Sequence, residues 1–348
     1  MRFYNGQHRY YCGIDLHART MYVCILDHEG GKVVVHRNLR CEPDLFLRAI
    51  EPYRDDLVVG VECIFCWYWL ADLCTQHDIP FVLGHALYMK AIHGGKAKND
   101  KIDSRKIAVL MRAGAIPVGY VYPQGMRATR DLLRRRLFFV RKRAELYTHI
   151  RTTFHQLNLP APKGKFHHPR NRVGVAELIP DPVVRASVEA DLTLAMHFDE
   201  VIRSLEGTIS GQAKVDDPDT LELLQTIPGV GRILSLTLLY ELHDIARFPR
   251  VQDFISYARL VKSQKSSAGK ITGTSGAKIG NAHLKWAYSE AAVHFLQKNP
   301  PGQKLLHRIR SKHGKGKALS ILAHRLGRAV YHLLKREKTF DAEMFFAT

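Results

Sequence analysis

The sequence predicts an α/β domain followed by a mostly all-α region, and three observations carry that expectation. Between Tyr10 and Leu39, three runs rich in β-formers alternate with polar or glycine-containing turns. From there to Ala113, short apolar strands alternate with helical segments. Beyond Met126, leucines and aromatics recur every three or four residues through long charged stretches. At 348 residues with 46% hydrophobic content, the chain is long enough for at least two cores.

The first run, YYCGIDLHARTMYVCILDHEGGKVVVHRNL from Tyr10, reads as an antiparallel three-strand meander with HEGG in its second turn. A helix is expected over Pro43 to Arg54, then a buried strand in DLVVGVEC, a helix in WYWLADLCTQHD and a short strand in PFVLG. A further helix is expected from Ile102 to Ala113. This first domain is assigned to residues 1–122 and has about the size of an RNase H fold.

Residues 123–212 form the second region. MRATRDLLRRRLFFVRKRAELYTHIRTTFHQLN reads as one long helix, the loop LPAPKGKFHHPRNR interrupts it, and a second helix runs from about Pro182 to Ser210. The pair is expected to form an arm for dimerisation or nucleic-acid contact, with a helical linker bearing a solvated basic face as the alternative. The last region, 213–348, is nearly all helical. It contains LELLQTIPGVGRILSLTLLYELHD, a polar Ser/Gly/Lys-rich loop from Lys262 to Gly280, a helix from Ala282, and the basic stretch SKHGKGKALS before a final amphipathic helix.

Charge narrows the function. A net charge of +19 recruits polyanions by releasing their counterions, which makes nucleic acid the leading partner. No apolar run reaches eighteen residues, and the start lacks a signal-peptide pattern, so an intracellular, membrane-free protein is expected. All six cysteines lie in the first 74 residues. They read as buried thiols, and Cys63 and Cys66 lack the second half of a zinc site.

Four carboxylates carry the chemistry. Asp15 in GIDLH stands where an apolar strand ordinarily takes Val or Ile, and a carboxylate there is costly unless it binds something such as a divalent cation. Glu62 repeats the arrangement at the end of VVGVEC. Asp100 and Asp103 in KNDKIDSRKIA, three apart at a helix start, face one side. Taken singly each has a bland alternative: Asp100 as an N-cap, Asp103 as a first-turn carboxylate, Glu62 as a surface residue. Converging, they are suited to one or two Mg²⁺ ions, because phosphoryl transfer is mostly positioning and charge neutralisation.

Two further elements point to DNA. IPGVG between two apolar helical runs reads as a helix-hairpin-helix, in which Gly229 and Gly231 let backbone N–H groups approach a phosphate; a glycine turn between packed helices is the alternative. Arg134, Arg135, Arg136, Arg141, Lys142 and Arg143 form a basic stretch expected to touch nucleic acid. In the polar loop, Ser266, Ser267 and Ser275 are candidate nucleophiles, with Lys265, Lys270 and Lys278 close by, and spacing alone does not choose among the serines.

These motifs, in this order and approximate spacing, resemble the insertion sequence 110 group, the DEDD transposases, which includes the pilin-gene invertases. The resemblance covers nearly the whole chain. It implies a RuvC-like RNase H domain in which Asp15, Glu62, Asp100 and Asp103 bind Mg²⁺, a coiled-coil arm, and a helical transposase domain. A serine of that last domain attacks the scissile phosphate and becomes transiently linked to DNA. By position after Ala258, Arg259 and Leu260, which match the family's A-G-L, that serine is Ser267. The resemblance also implies a homodimer or homotetramer, a structured guide RNA pairing with donor and target DNA, and a bacterial cytoplasmic setting beside the nucleoid. Two departures are Val261 and Lys262 in place of the common Thr-Pro, and Cys63 after Glu62 where a smaller residue is frequent.

The sequence therefore predicts a recombinase that joins Mg²⁺-assisted phosphoryl transfer to a serine nucleophile. The absence of a G-x-x-x-x-G-K-[ST] loop fits a reaction that conserves bond energy without ATP. The rivals are a RuvC-like junction nuclease using water, and a non-catalytic nucleic-acid-binding protein. Whether Asp103 and Ser267 meet within one chain or across protomers is left open.

Overall fold

The computed structural model describes residues 2–92, 99–262, 264–274 and 279–347. The chain divides into two compact units, Met1–Gln124 and Gly125–Thr348.

The first unit is built on a five-stranded sheet. β1 (Tyr10–Leu16), β2 (Thr20–Asp27) and β3 (Val33–Arg40) form the expected meander, α1 (Pro43–Ile50) follows, and β4 (Leu57–Glu62), α2 (Tyr68–Gln76) and β5 (Phe81–Gly84) alternate after it. α3 (Ala86–Ile92) and α4 (Asp100–Arg112) complete the unit. Spatial order is β3-β2-β1-β4-β5, with β1 antiparallel to β2 and parallel to β4. α1 stops earlier than its periodicity suggests: Pro52 cannot extend it, and Glu51–Asp56 continue as a 3₁₀ turn.

The two faces of the sheet follow the two-residue period of its strands. Cys12, Ile14 and Leu16 of β1, with Val59 and Val61 of β4, pack on one side with Phe46, Ile50, Leu70 and Cys74. Tyr11 and Val58 point the other way, against Ile107, Leu110 and Met111 of α4. On that second side Gly13 and Gly60 are register partners. A Cβ on Gly13 would lie 2.3 Å from both Ala108 N and Ser104 O, and one on Gly60 would lie 2.2 Å from the Met111 sulfur. The two glycines thus let α4 lie directly against the sheet.

The second unit begins with α5 (Gln124–Gln156) and α6 (Pro182–Asp216), joined by a segment with two short 3₁₀ turns. Ion pairs Arg136–Glu206, Arg143–Asp199 and His149–Asp191 advance along one helix while receding along the other, so the helices run antiparallel. At their far end Ile150, Phe154, Phe166, Val175, Ile179 and Val188 form a small separate core.

α7 (Pro218–Gln225), α8 (Arg232–Leu242) and α9 (Val251–Tyr257) follow. The segment expected as a loop then gives a hairpin, β6 (Gln264–Ser267) and β7 (Lys270–Thr274). Its two-residue turn, Ala268 and Gly269, has positive φ at both positions, the geometry that closes a tight hairpin. α10 (Ala282–Phe295), α11 (Pro300–His313), α12 (Lys315–Arg336) and α13 (Ala342–Ala347) end the chain. α8 is buried from Leu234 to Leu242 and centres a core shared with α10 and α12. Among the described residues, no helix is long and apolar enough to cross a membrane. None of the six cysteines forms a disulfide.

Candidate active site

Strand parity and the glycine contact position the acidic residues. Asp15 lies two residues beyond Gly13, and Glu62 two beyond Gly60, so both fall on the face that α4 covers. Because α4 rests on those glycines, its first turn brings Asp100 and Asp103 to the same end of the sheet. Asn99 caps α4, its side chain accepting a hydrogen bond from Ile102 N at 2.8 Å. Asp100 is therefore not the cap and is left for other work.

Asp15 registers this crowding. Burial pushes its carboxyl up to about 6, and the negative charges of Asp100, Asp103 and Glu62 add to the rise, against the opposing pull of His17. Its side chain is 22% exposed, between the buried core and open solvent. His17 Nε2 lies 3.7 Å from an Asp15 oxygen and 3.3 Å from an Asp100 oxygen. One ligand atom from each of Asp15, His17 and Asp100 falls within 4.8 Å of the others, an arrangement that can hold a metal ion. Asp103 pairs with Lys106 at 3.1 Å, and Glu62 is half-buried at the end of β4.

His17 is the residue that the carboxylate pattern passes over. Its signal was present in GIDLH: two positions beyond Asp15, the strand period returns a side chain to the same face. The donor set suits a hard divalent cation, since carboxylate oxygens dominate and Asp15 bears a strain that positive charge relieves.

In the second unit, Ser267 is exposed and pairs with Lys270 across the hairpin turn. Lys270 is exposed too. The backbone of Ser266 and Lys265 lies on β6, whereas Ser275 and Lys278 fall outside the described residues. The hairpin's base is clamped: Asn281 N donates to Tyr257 O at 2.6 Å, and Arg259 donates to Ile279 O at 2.9 Å. Asn281 also donates to Glu241 at 2.7 Å, deep in the core.

Glu241 is 1% exposed and takes a bidentate pair from Arg134, at 2.6 and 2.8 Å, with Arg130 at 3.3 Å. Burial alone would raise its carboxyl, but the hydrogen bonds and charge of Arg134 and the charge of Arg130 hold it at about 2. Arg134 thus serves a buried ion cluster. Arg136 pairs with Glu206, which Arg232 also reaches, and Arg143 shares Asp199 with Arg172. Arg135 is exposed over the Phe138 and Phe139 rings, Arg141 is exposed, and Lys142 pairs with Glu145 at 2.7 Å.

The IPGVG turn joins α7 to α8. Gly229 has φ +81°, and a Cβ there would lie 2.3 Å from Phe295 N, so close packing on the end of α10 requires glycine. Gly231 is the exposed N-cap of α8, with open space around it.

Two family models match different parts of the chain. Residues 12–159 match a family model described as Transposase, of the DEDD type of IS110. Residues 221–307 match the model described as Transposase IS116/IS110/IS902 family. The transposase for insertion sequence element IS1111A of Coxiella burnetii is 24% identical over 335 residues, 94% of this chain and 90% of that protein. The transposase for insertion sequence element IS1328 of Yersinia enterocolitica is 23% identical over 294 residues, 82% of this chain and 84% of that protein. An uncharacterized 43.6 kDa protein of insertion element IS110 from Streptomyces coelicolor is 31% identical over 161 residues, 45% of this chain and 38% of that protein.

Proposed function

The chain belongs to the IS110 family of insertion-sequence transposases, which cut and join DNA, and from that premise we propose a metal-assisted recombinase with a serine nucleophile. The observation that carries the reading is the coupling of Asp15 to Asp100, Asp103 and Glu62 on one face of the sheet. Those four residues are the ligands we assign to Mg²⁺, and His17 braces Asp15 and Asp100 from the side. The bound ion would neutralise charge on the scissile phosphate and orient it.

Ser267 supplies the attacking oxygen. Its Oγ bonds to phosphorus as the bond to the leaving sugar oxygen breaks; the serine proton departs and that sugar oxygen gains one. The bond count is unchanged, so a second transfer reseals DNA and restores the serine. Exposure at the tip of a clamped hairpin supports this role, because the nucleophile is reachable while its base is held by Asn281 and Arg259.

The strand order β3-β2-β1-β4-β5 supports a RuvC-like RNase H fold over 1–122. Antiparallel pairing, with ion pairs seven residues apart on each helix from Arg136 to Arg143 and from Asp199 to Glu206, supports a coiled-coil arm over 123–212. The IPGVG turn supports a helix-hairpin-helix in 213–348, with phosphate contact at Gly231 N and the backbone near Gly229. Arg135, Arg141, Lys142 and the lysines flanking Ser267 extend the DNA-facing surface. The net charge of +19 supports nucleic-acid partners, and the resemblance adds a guide RNA and a dimeric or tetrameric assembly.

The test is cleavage of a labelled DNA carrying the element's end, with flanking RNA and Mg²⁺, comparing wild type, Ser267→Ala and Ser266→Ala. A protein–DNA adduct lost only in Ser267→Ala is expected. Cleavage without any adduct, indifferent to both substitutions, would leave a water-using nuclease instead.

A further inference from the structure

The far end of the arm carries a pocket that the recombination chemistry does not use. α5 contributes Tyr147, Thr148 and Arg151, and the connecting segment contributes Lys165, Phe166 and His167, around a hollow of about 270 Å³. It is held in shape from behind. Asn171 donates to Lys165 O at 2.9 Å, Arg172 to Phe166 O at 2.5 Å, and Arg151 to Gly164 O at 3.0 Å. Phe166, 2% exposed, anchors the floor, with Tyr147 packed edgewise on it at 5.6 Å.

The charge around the hollow is one-sided. From Arg143 to Arg172 the chain carries six lysines and arginines and four histidines against a single acid, Glu145. Asp199 and Asp191 face this end from α6, but Asp199 is taken by Arg143 and Arg172, and Asp191 by His149. Arg151, Lys165 and His167 are all exposed. The field acts on His167: partial burial and then the charges of His168, Lys165, Arg143 and Arg172 hold its pKa below the usual value. An anion entering here meets Arg151 and Lys165 beside the Tyr147 and Phe166 rings.

We propose that this pocket seats one nucleotide of a single-stranded nucleic acid, its phosphate taken by Arg151 and Lys165 and its base by Tyr147 and His167. A hollow of about 270 Å³ suits a single unstacked nucleotide, whereas the bases of a duplex are stacked and withheld from such a recess. The inference rests on the nucleic-acid partner proposed above but not on its catalytic step, since the pocket lies on the arm.

Binding of fluorescein-labelled 12-mers, oligo(U) and oligo(dT), to the full chain in EDTA tests it, with a 12-base-pair duplex as control. Lys165→Ala/His167→Ala is expected to weaken the single strands about tenfold, to flatten the salt dependence by about one unit, and to spare the duplex. The preferred 12-mer identifies RNA or DNA as the source. Photocrosslinking of wild type with 4-thiouridine and 5-iodo-deoxyuridine oligomers should label the 144–167 peptides. Crosslinks confined to other peptides, or single-strand affinity and salt slope unchanged in the folded double variant, would overturn the proposal. Because no divalent ion is present, either result is independent of whether Ser267 or the carboxylates act on DNA.

Discussion

Gly13 and Gly60 stand side by side on parallel strands, and the helix that supplies Asp100 and Asp103 lies against both. The acidic cluster thus depends on two residues with no side chain, neither of which takes part in chemistry.

Gly13→Ala should therefore act at a distance. A Cβ 2.3 Å from the α4 backbone forces the helix outward, at a cost of about 1–3 kcal/mol, and draws Asp100 and Asp103 away from Asp15. Chemical denaturation should show the lost stability, and DNA cleavage should fall well beyond what reduced folding explains. Gly30→Ala, whose new atom would meet nothing nearer than 3.9 Å, serves as the control and should be neutral.

Divalent cations should stabilise the first unit through Asp15. Adding Mg²⁺ or Mn²⁺ to the wild type should raise its melting temperature, by mass action on the folded state. Asp15→Asn should melt slightly higher than wild type in EDTA, because it removes a half-buried charge among like charges, and should gain little from added metal. An equal metal-induced shift in both proteins would remove Asp15 from the ligand set.

Glu241 gives a pH signature. Its folded-state pKa of about 2 lies below the ordinary 4.5, so its contribution is complete above pH 4.5 and is lost as pH falls toward 2. The linkage is on the order of 3 kcal/mol. Glu241→Gln removes the buried charge that Arg130 and Arg134 share and should cost about 3–5 kcal/mol at pH 7. Urea midpoints followed from pH 7 to pH 3 should show the gap to wild type narrowing only below about 4.5.

The hairpin turn should separate placement of Ser267 from stability. Gly269→Val puts a β-branched residue at φ +75°, where it is strained, and shifts the pairing of Ser267 with Lys270. Adduct formation should drop about tenfold or more while the melting temperature moves little, since Ser267, Ala268, Gly269 and Lys270 at the turn are all exposed. Ala268→Asn, which favours positive φ, should keep full activity.

Much of the site was legible because period and spacing determine it. Asp15 interrupts an apolar strand, Glu62 ends another, and Asp100 and Asp103 share a helix face, so each could be named from its own neighbours. His17 required only the same parity argument carried two residues further. The partners of Arg134 and Arg136 were not legible, since Glu241 and Glu206 lie 107 and 70 residues away and only tertiary packing selects them. The serine hairpin was hidden for a different reason. Its serines and lysines are poor β-formers, and the pairing is set by two positive-φ residues, one of them an alanine.

The distribution of thiols has a practical consequence for spectroscopy. Burial holds Cys12 well above the usual thiol range, Cys24 at about 11 and Cys74 at about 12, and it raises Cys41 and Cys66 as well. Maleimide reagents consume thiolate, so at neutral pH these five react slowly. Cys63 is the exposed cysteine, and it directly follows Glu62. A fluorophore attached there sits one residue from the acidic cluster, so the unaltered chain can carry its own spectroscopic reporter beside that cluster.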